Sequence, residues 1–406
     1  MKGILTYFFF IIVISSGGPE KTFGAGSYER LLTIHSEKSI IPGAERLPDY
    51  FERIKGKTVG LVVNQTSRVK QKHLVDTLAG IGVNIKTIFA PEHGFRGEAD
   101  AGETIVDGKD LMTGLPVISL YGAKKKPTRD DLAGIDLMIF DIQDVGVRFY
   151  TYISTLHYVM EACAENALPL IVLDRPNPNA HYVDGPVLKK EFTSFVGLHP
   201  VPVVYGMTIG EYATMINGEK WLPEGMICDL TVIHCHNYNH SMLYELPVKP
   251  SPNLPTTRSI LLYPSLCFFE GTTMSVGRGT DKQFQLIGHP SVKAAFSFKP
   301  EPNPGAKNPV WQDKICYGKD LTNLKIRELF EKKQLDLSYL IFYCQEFQQI
   351  GEKLFLDNLF FDKLAGTDSL RKMLSEGYDE KKIRASWKED LAHFKQVRKK
   401  YLLYED

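Results

Sequence analysis

Five runs of apolar, largely β-branched residues, each broken off by a polar loop, set what this chain can fold into. They cover 58–64, 84–90, 116–121, 136–141 and 168–174. Between them lie stretches with helical spacing. Leu74, Leu78 and Ala79 precede Gly80, Thr128 is placed to cap a short piece, and 152–166 carries Leu156, Val159, Met160 and Cys163 on one face. Unbroken apolar strands alternating with helices predict a parallel sheet covered on both faces. The expected fold is therefore α/β, a Rossmann-like, doubly wound, mostly parallel sheet. The stretch 202–206, a helix over 208–217 opened by a Thr208/Glu211 capping box, and a strand over 229–233 continue it. After the first strand there is no G-x-G-x-x-G, only Asn64-Gln65-Thr66-Ser67-Arg68, and no Walker A loop occurs anywhere in the chain. A dinucleotide site is therefore not indicated.

Beyond His289-Pro290 the alternation stops. Helices are expected over 323–333, 338–350 and 386–403, the last with Trp387, Leu391, Phe394, Val397 and Tyr401 as its packing face. At 406 residues the chain exceeds one core of ordinary size. It is read as a leader over 1–25, a Rossmann-like catalytic domain over 45–288, and a smaller α+β accessory domain over 289–406 that walls the ligand pocket.

Ligands of open α/β sheets bind outside the carboxyl ends of the strands, and these ends are chemically loaded. The first run ends in Asn64. The second ends in Pro91-Glu92-His93-Gly94-Phe95-Arg96-Gly97. The fourth leads into Asp141, Asp144, Arg148, Tyr150 and Tyr152, and the fifth into Asp174, Arg175 and Asn177. A later apolar run, 261–269, ends in Glu270, and glycine-flanked Arg278 follows. Such a lining suits a sugar: aromatic faces from Tyr150 and Tyr152, hydroxyl partners from aspartates and asparagines, and arginines as anion clamps. The plainer alternative has Glu92 paired with Arg96, and Asp141 and Asp174 capping helices or pairing with arginines.

The formal net charge is zero, which argues against nucleic acid or an anionic membrane surface as partner. Met1-Lys2, the apolar Ile4–Ile14 and Ser15-Ser16-Gly17-Gly18 have the layout of a secretory signal, too short for a typical membrane span. Export to the periplasm or medium is expected, with no stable membrane insertion after cleavage. The six cysteines are scattered and read as small buried residues, with Cys228 and Cys235 the nearest to a disulfide pair. His234, His236 and His240 invite a zinc hypothesis but lack ligand-motif spacing, so neither metal nor cofactor is assigned.

With these residues in view, the chain resembles the NamZ family of exo-β-N-acetylmuramidases. The matching stretches are Asn64-Gln65-Thr66, 91–97, 140–146, 148–152, 174–178, Glu270-Gly271-Thr272, 277–280, Ser386-Trp387 and 401–404. The least familiar region is 293–319. The resemblance implies release of single N-acetylmuramic acid units from the non-reducing ends of peptidoglycan-derived muropeptides or disaccharides, without metal or nucleotide. It also implies that the proposed catalytic glutamate falls on Glu92. Glycoside hydrolysis needs a general acid and a second group opposite it. Glu92 is assigned as the acid, with Asp144, Glu270 or the substrate's own acetamido group as the second, and His93 tuning Glu92. The lactyl carboxylate of the sugar would go to Arg96, Arg148, Arg175 or Arg278. Two rivals remain, a metal-dependent hydrolase and a non-catalytic muropeptide-binding protein. The sequence leaves the oligomeric state open.

Overall fold

In the first segment of the computed structural model, α1 (Leu47–Ile54) leads to β1 (Thr58–Val63), a hairpin β2 (Arg68–Val69)/β3 (Lys72–His73), α2 (Leu74–Gly80) and β4 (Asn84–Ala90). The residues described are 39–92, 94–95 and 108–406. The proposed leader, His93 and Arg96 lie outside them. The chain continues with β5 (Gly108–Lys109), β6 (Pro116–Ser119), β7 (Leu137–Asp141), α3 (Tyr152–Glu165), β8 (Leu170–Leu173), α4 (Ile209–Gly218) and β9 (Leu230–Ile233).

Seven of these strands form one sheet in the order β5-β6-β4-β1-β7-β8-β9. The six from β6 to β9 are mutually parallel, and only the two-residue edge strand β5 is antiparallel. The chain winds outward from β1 through β4 to β6, then returns to the other side of β1 with β7. This is the doubly wound order the alternation predicts, with its direction reversing at β1.

Side-chain alternation explains why the strands read as unbroken apolar runs. Val59, Leu61, Val63, Leu137, Ile139, Ile171 and Leu173 point into one core, while Val62, Met138, Phe140, Leu170 and Val172 point into the other. Both faces are covered, so both register positions favour apolar residues. Gly60 leaves room for the second core, since a Cβ there would lie 2.5 Å from Met138 Sδ.

Two local expectations give way. Thr128 starts no helix. Its amide donates to Asp131 Oδ2 (2.8 Å), and its Oγ1 accepts from the Asp131 amide (3.2 Å), closing a turn. Residues 202–206 form no strand, only bridges from Val204 to Val147 and Asp184. The Thr208/Glu211 capping box is present at α4.

The apolar run before Glu270 is α5 (Thr257–Leu266), continued by a 3-10 turn over Cys267–Gly271. Glu270 therefore leaves a helical end, not a strand. A three-stranded antiparallel sheet follows, β10 (Leu286–His289), β11 (Phe296–Phe298) and β12 (Cys316–Asp320), in the order β10-β12-β11. The remainder is helical: α6 (Ile326–Glu331), α7 (Ser338–Ile350), α8 (Phe360–Ala365), α9 (Ser369–Ser375), α10 (Glu380–Ala385) and α11 (Lys388–Arg398). Residues from Ile40 to Asp406 make one compact unit. Its C-terminus folds back on the first sheet. The amides of Leu403 and Tyr404 donate to Glu211 Oε1 (2.7 and 3.2 Å), and His240 lies between Glu211 and Asp406 at 2.9 Å from each.

Candidate active site

Pro91 has no amide to continue the ladder and ends β4. The next residue, Glu92, turns its Oε2 to accept a hydrogen bond from Thr151 Oγ1 at 2.7 Å. Thr151 immediately precedes α3, which is reached from the end of β7. The contact therefore bridges the loops on either side of β1, where the strand order reverses. A cleft of about 1260 Å³ opens there, and its lining includes Glu92, Tyr121, Tyr150, Thr151, Glu270 and Arg278. Its far side is built by the C-terminal part of the chain, with Trp311, Phe360 and Leu364.

Four of the expected site residues among those described thus meet at one cleft: Glu92, Tyr150, Glu270 and Arg278. Arg278 Nε donates to Glu270 Oε1 at 2.5 Å, and its guanidinium lies 5.3 Å from the Phe284 ring centre. Burial works against the Arg278 charge, but the Glu270 carboxylate, Tyr263 and Cys267 together outweigh it and raise its pKa. Tyr150 Oη donates to the Pro250 carbonyl at 2.8 Å, which fixes the proline-rich loop over the sheet edge.

The other expected residues lie behind the lining and hold it. Tyr152 is fully buried, edge-on to Tyr150 at 4.8 Å, so its ring offers no face to a sugar. Asn64 Nδ2 donates to Tyr152 Oη (2.9 Å), and Asn64 Oδ1 accepts from Thr66. Asp141 and Arg175 form a buried two-point ion pair at 2.5 and 2.8 Å, the plainer alternative for both. Asp174 accepts from Thr208 Oγ1 (2.8 Å), the Gly210 amide (2.8 Å) and Tyr404 Oη (2.6 Å), so it anchors α4 and the C-terminus. Asn177 Nδ2 donates to Met207 O (2.8 Å). Arg148 donates to three buried carbonyls, those of Pro186, Val201 and Leu364. None of these seven lines the cleft. Each has hydrogen-bond partners that let it be buried away from water, although Arg148 Nε itself has none among the described residues.

Asp144 also lies behind the cleft. Its Oδ2 accepts from Tyr205 and from the Gly146 amide (2.6 Å), while Oδ1 has no partner among the described residues. Burial pushes its carboxyl up to about 6, against the opposing pull of those hydrogen bonds. The folded protein therefore keeps this proton to about pH 6, whereas an unfolded aspartate releases it near 3.8. The resulting stability is full below the lower value and is lost as pH rises through the higher one, about 3 kcal/mol at most across that window. In Asp144→Asn, which cannot ionise, this dependence should vanish. The melting temperature of wild type relative to the variant should fall between pH 4 and pH 7. Parallel melting profiles would contradict the shift.

The three histidines of 234–240 part company. His240 is buried between Glu211 and Asp406, His234 packs edge-on to Tyr404 (6.3 Å), and His236 is exposed. Among the described residues no cluster of three or more His, Cys, Asp or Glu is placed to hold a metal ion. All six cysteines are buried and free. The Cys235 thiol donates to Asp174 O at 3.3 Å and does not pair with Cys228.

Thr151, Tyr121, Phe195 and Trp311 were not singled out from the sequence as site residues. Thr151 carried a usable signal, a hydroxyl directly before a helix following a strand-end loop. Trp311 carried none, since it lies in an irregular stretch whose position depends on the second sheet.

The sequence matches the family described as exo-β-N-acetylmuramidase NamZ in both of its parts, the N-terminal over residues 59–258 and the C-terminal over 261–404. It is 40% identical to the peptidoglycan β-N-acetylmuramidase NamZ of Bacillus subtilis (strain 168), over 88% of this chain and 89% of that protein. The fold is similar to two crystal structures of DUF1343 family proteins from Bacteroides fragilis NCTC 9343. One has a TM-score of 0.84 at 46% identity and covers 91% of this chain and 100% of the other. The second has a TM-score of 0.79 at 30% identity, with 90% and 99% covered. With a doubly wound sheet, a glutamate at its switch-point cleft and both family parts matched almost end to end, this chain belongs to the NamZ family of exo-β-N-acetylmuramidases.

Proposed function

We propose that this protein hydrolyses the β-glycosidic bond of a terminal N-acetylmuramic acid unit at the non-reducing end of peptidoglycan fragments. The observation that carries the reading is the position of Glu92. It stands at the strand end beside the reversal of sheet order, held by Thr151, in a cleft of a chain whose two parts both match the muramidase family. In this reading Glu92 gives its proton to the leaving oxygen as the bond breaks towards an oxocarbenium-like state. Glu270 is the second carboxylate of the described cleft. Fixed by Arg278, it is suited to face the positive charge that develops on the sugar. Asp144, behind the lining, supports the floor through Tyr205 and the Gly146 turn.

We also read residues 45–288 as the catalytic part and 289–406 as the accessory part that closes the far wall. Export to the periplasm or medium is supported by the apolar Ile4–Ile14 after Met1-Lys2. No helix among the described residues is long and apolar enough to cross a membrane. The substrate class follows from the family, namely peptidoglycan-derived muropeptides and disaccharides.

The direct test is chromophore release from an aryl β-N-acetylmuramide, with the corresponding N-acetylglucosaminide as control. Wild-type protein should turn over the muramide and leave the glucosaminide nearly untouched. Folded protein that cleaves neither the aryl muramide nor a natural muramyl disaccharide would overturn the enzyme reading in favour of a muropeptide-binding role.

A further inference from the structure

N-acetylmuramic acid differs from N-acetylglucosamine by a lactyl ether that ends in a carboxylate, so a cation in reach of that group discriminates between them by charge. This inference rests on the muramidase reading above. Of the arginines expected to supply the cation, Arg96 lies outside the described residues, Arg148 and Arg175 are buried and committed elsewhere, and Arg278 is closed against Glu270. The cations lining the described cleft are Lys125, Arg278 and Lys307.

Lys125 is the middle of three consecutive lysines, and its neighbours are held by carboxylates. Lys124 Nζ pairs with Asp131 at 3.3 Å, and Lys126 Nζ with Glu161 and Glu165 at 2.7 and 2.9 Å. Lys125 Nζ instead lies 4.6 Å from the centre of the Phe195 ring. It makes no ion pair with a carboxylate among the described residues. The ring covers one side of the ammonium and leaves N–H donors for another partner. Phe195 is itself fixed, stacked on Tyr158 and accepting a hydrogen bond at its carbonyl from Ser154 Oγ (2.7 Å).

The sheet register brings this lysine to the reacting edge. Ala90 of β4 pairs with Ser119 of β6, and the Leu120 amide donates to Ala90 O at 2.8 Å. The two segments leave the sheet together, one carrying Glu92 and the other Tyr121 and Lys125, and all three line the same cleft. A carboxylate drawn out of water into this cleft needs a cation to balance it.

We propose that Lys125, poised on the Phe195 face, receives the lactyl carboxylate of N-acetylmuramic acid and so sets the preference for muramic over glucosaminic units. The pairing is a charge-assisted hydrogen bond made at ground state and transition state alike, so its loss appears in KM more than in kcat.

The test is Lys125→Met, which keeps the length and apolar stem of the side chain. Its KM for an aryl β-N-acetylmuramide should rise about tenfold or more. The loss on the lactyl methyl ester of the same muramide, which lacks the charge, should be within about twofold on the same scale. Lys125→Arg should recover most of the difference. Added salt should weaken wild type on the acid and hardly affect the methionine variant. Equal losses on acid and ester, or no loss on either, would overturn the assignment. So would a loss confined to substrates that carry a stem peptide, since the recognised carboxylate would then be the peptide's.

Binding separates this inference from the reading beneath it. Calorimetric titration with free N-acetylmuramic acid and its methyl ester needs no turnover. Preference for the acid, lost in Lys125→Met, supports the assignment even if wild type cleaves nothing. Equal binding by wild type and variant rejects it even if wild type is an active muramidase.

Discussion

Glu92→Gln will lower kcat on a muramyl disaccharide by about a thousandfold, within the range for loss of a general acid. That corresponds to about 4 kcal/mol of barrier. Glutamine keeps the size of the side chain and an oxygen that can still accept from Thr151 Oγ1, so the loop geometry is preserved. What it lacks is the proton. The dependence on leaving group then identifies the role. A sugar hydroxyl leaves poorly without protonation, whereas an activated phenol leaves as its anion. The variant should therefore be crippled on the disaccharide and much less impaired on an aryl muramide with an acidic phenol. An equal loss on both would assign Glu92 another role, and more than a tenth of wild-type activity on the disaccharide would remove it from the chemistry. Circular dichroism and melting temperature should match wild type, because the side chain is only partly buried.

Arg148→Met will lower the melting temperature by about 10 °C or leave the protein insoluble. Arg148 is completely buried, yet its hydrogen bonds go to backbone carbonyls, Pro186 (2.8 Å), Val201 (2.7 Å) and Leu364 (2.9 Å). Burial pushes its pKa down to about 9, which still leaves it charged at neutral pH. Methionine fills similar space, orphans the Pro186 and Leu364 carbonyls at about 1–3 kcal/mol each, and leaves Val201 O only the Leu188 amide. That sum rivals the net stability of a typical domain, about 5–15 kcal/mol. The site is built for a guanidinium. Gly366, at φ 73°, would place a Cβ 2.6 Å from Arg148 Nη2. Arg148→Lys should fail nearly as badly, because a single ammonium on a flexible stem cannot reproduce the planar fork. A shift of less than about 3 °C for the methionine variant would show that the carbonyls find other partners.

Arg148 also marks where reading the sequence stopped short. It stands in a motif that follows a strand end, as Glu92 does, and both looked equally fit to meet a sugar. Their fates differ because of residues far away in the chain. Arg148 is taken up by Leu364, 216 positions on, and Asp141 by Arg175, 34 positions on. Glu92 is left at the cleft, bonded to Thr151.

The sequence by itself determined the six parallel strands of the main sheet, their burial on both faces, the capping box of α4 and the glutamate at the end of β4. Each of these is written within about ten residues, as an apolar period, a helix-start signal or a proline that ends a ladder. Only the tertiary structure decided which polar side chains line the cleft and which are buried in pairs beneath it. A buried polar group goes where its partners are, and topology brings those partners from elsewhere in the chain. The placement of Lys125 on Phe195 belongs to the same class. Nothing local distinguishes it from Lys124 and Lys126, and it is singled out only when the fold gives its two neighbours carboxylates and gives Lys125 a ring.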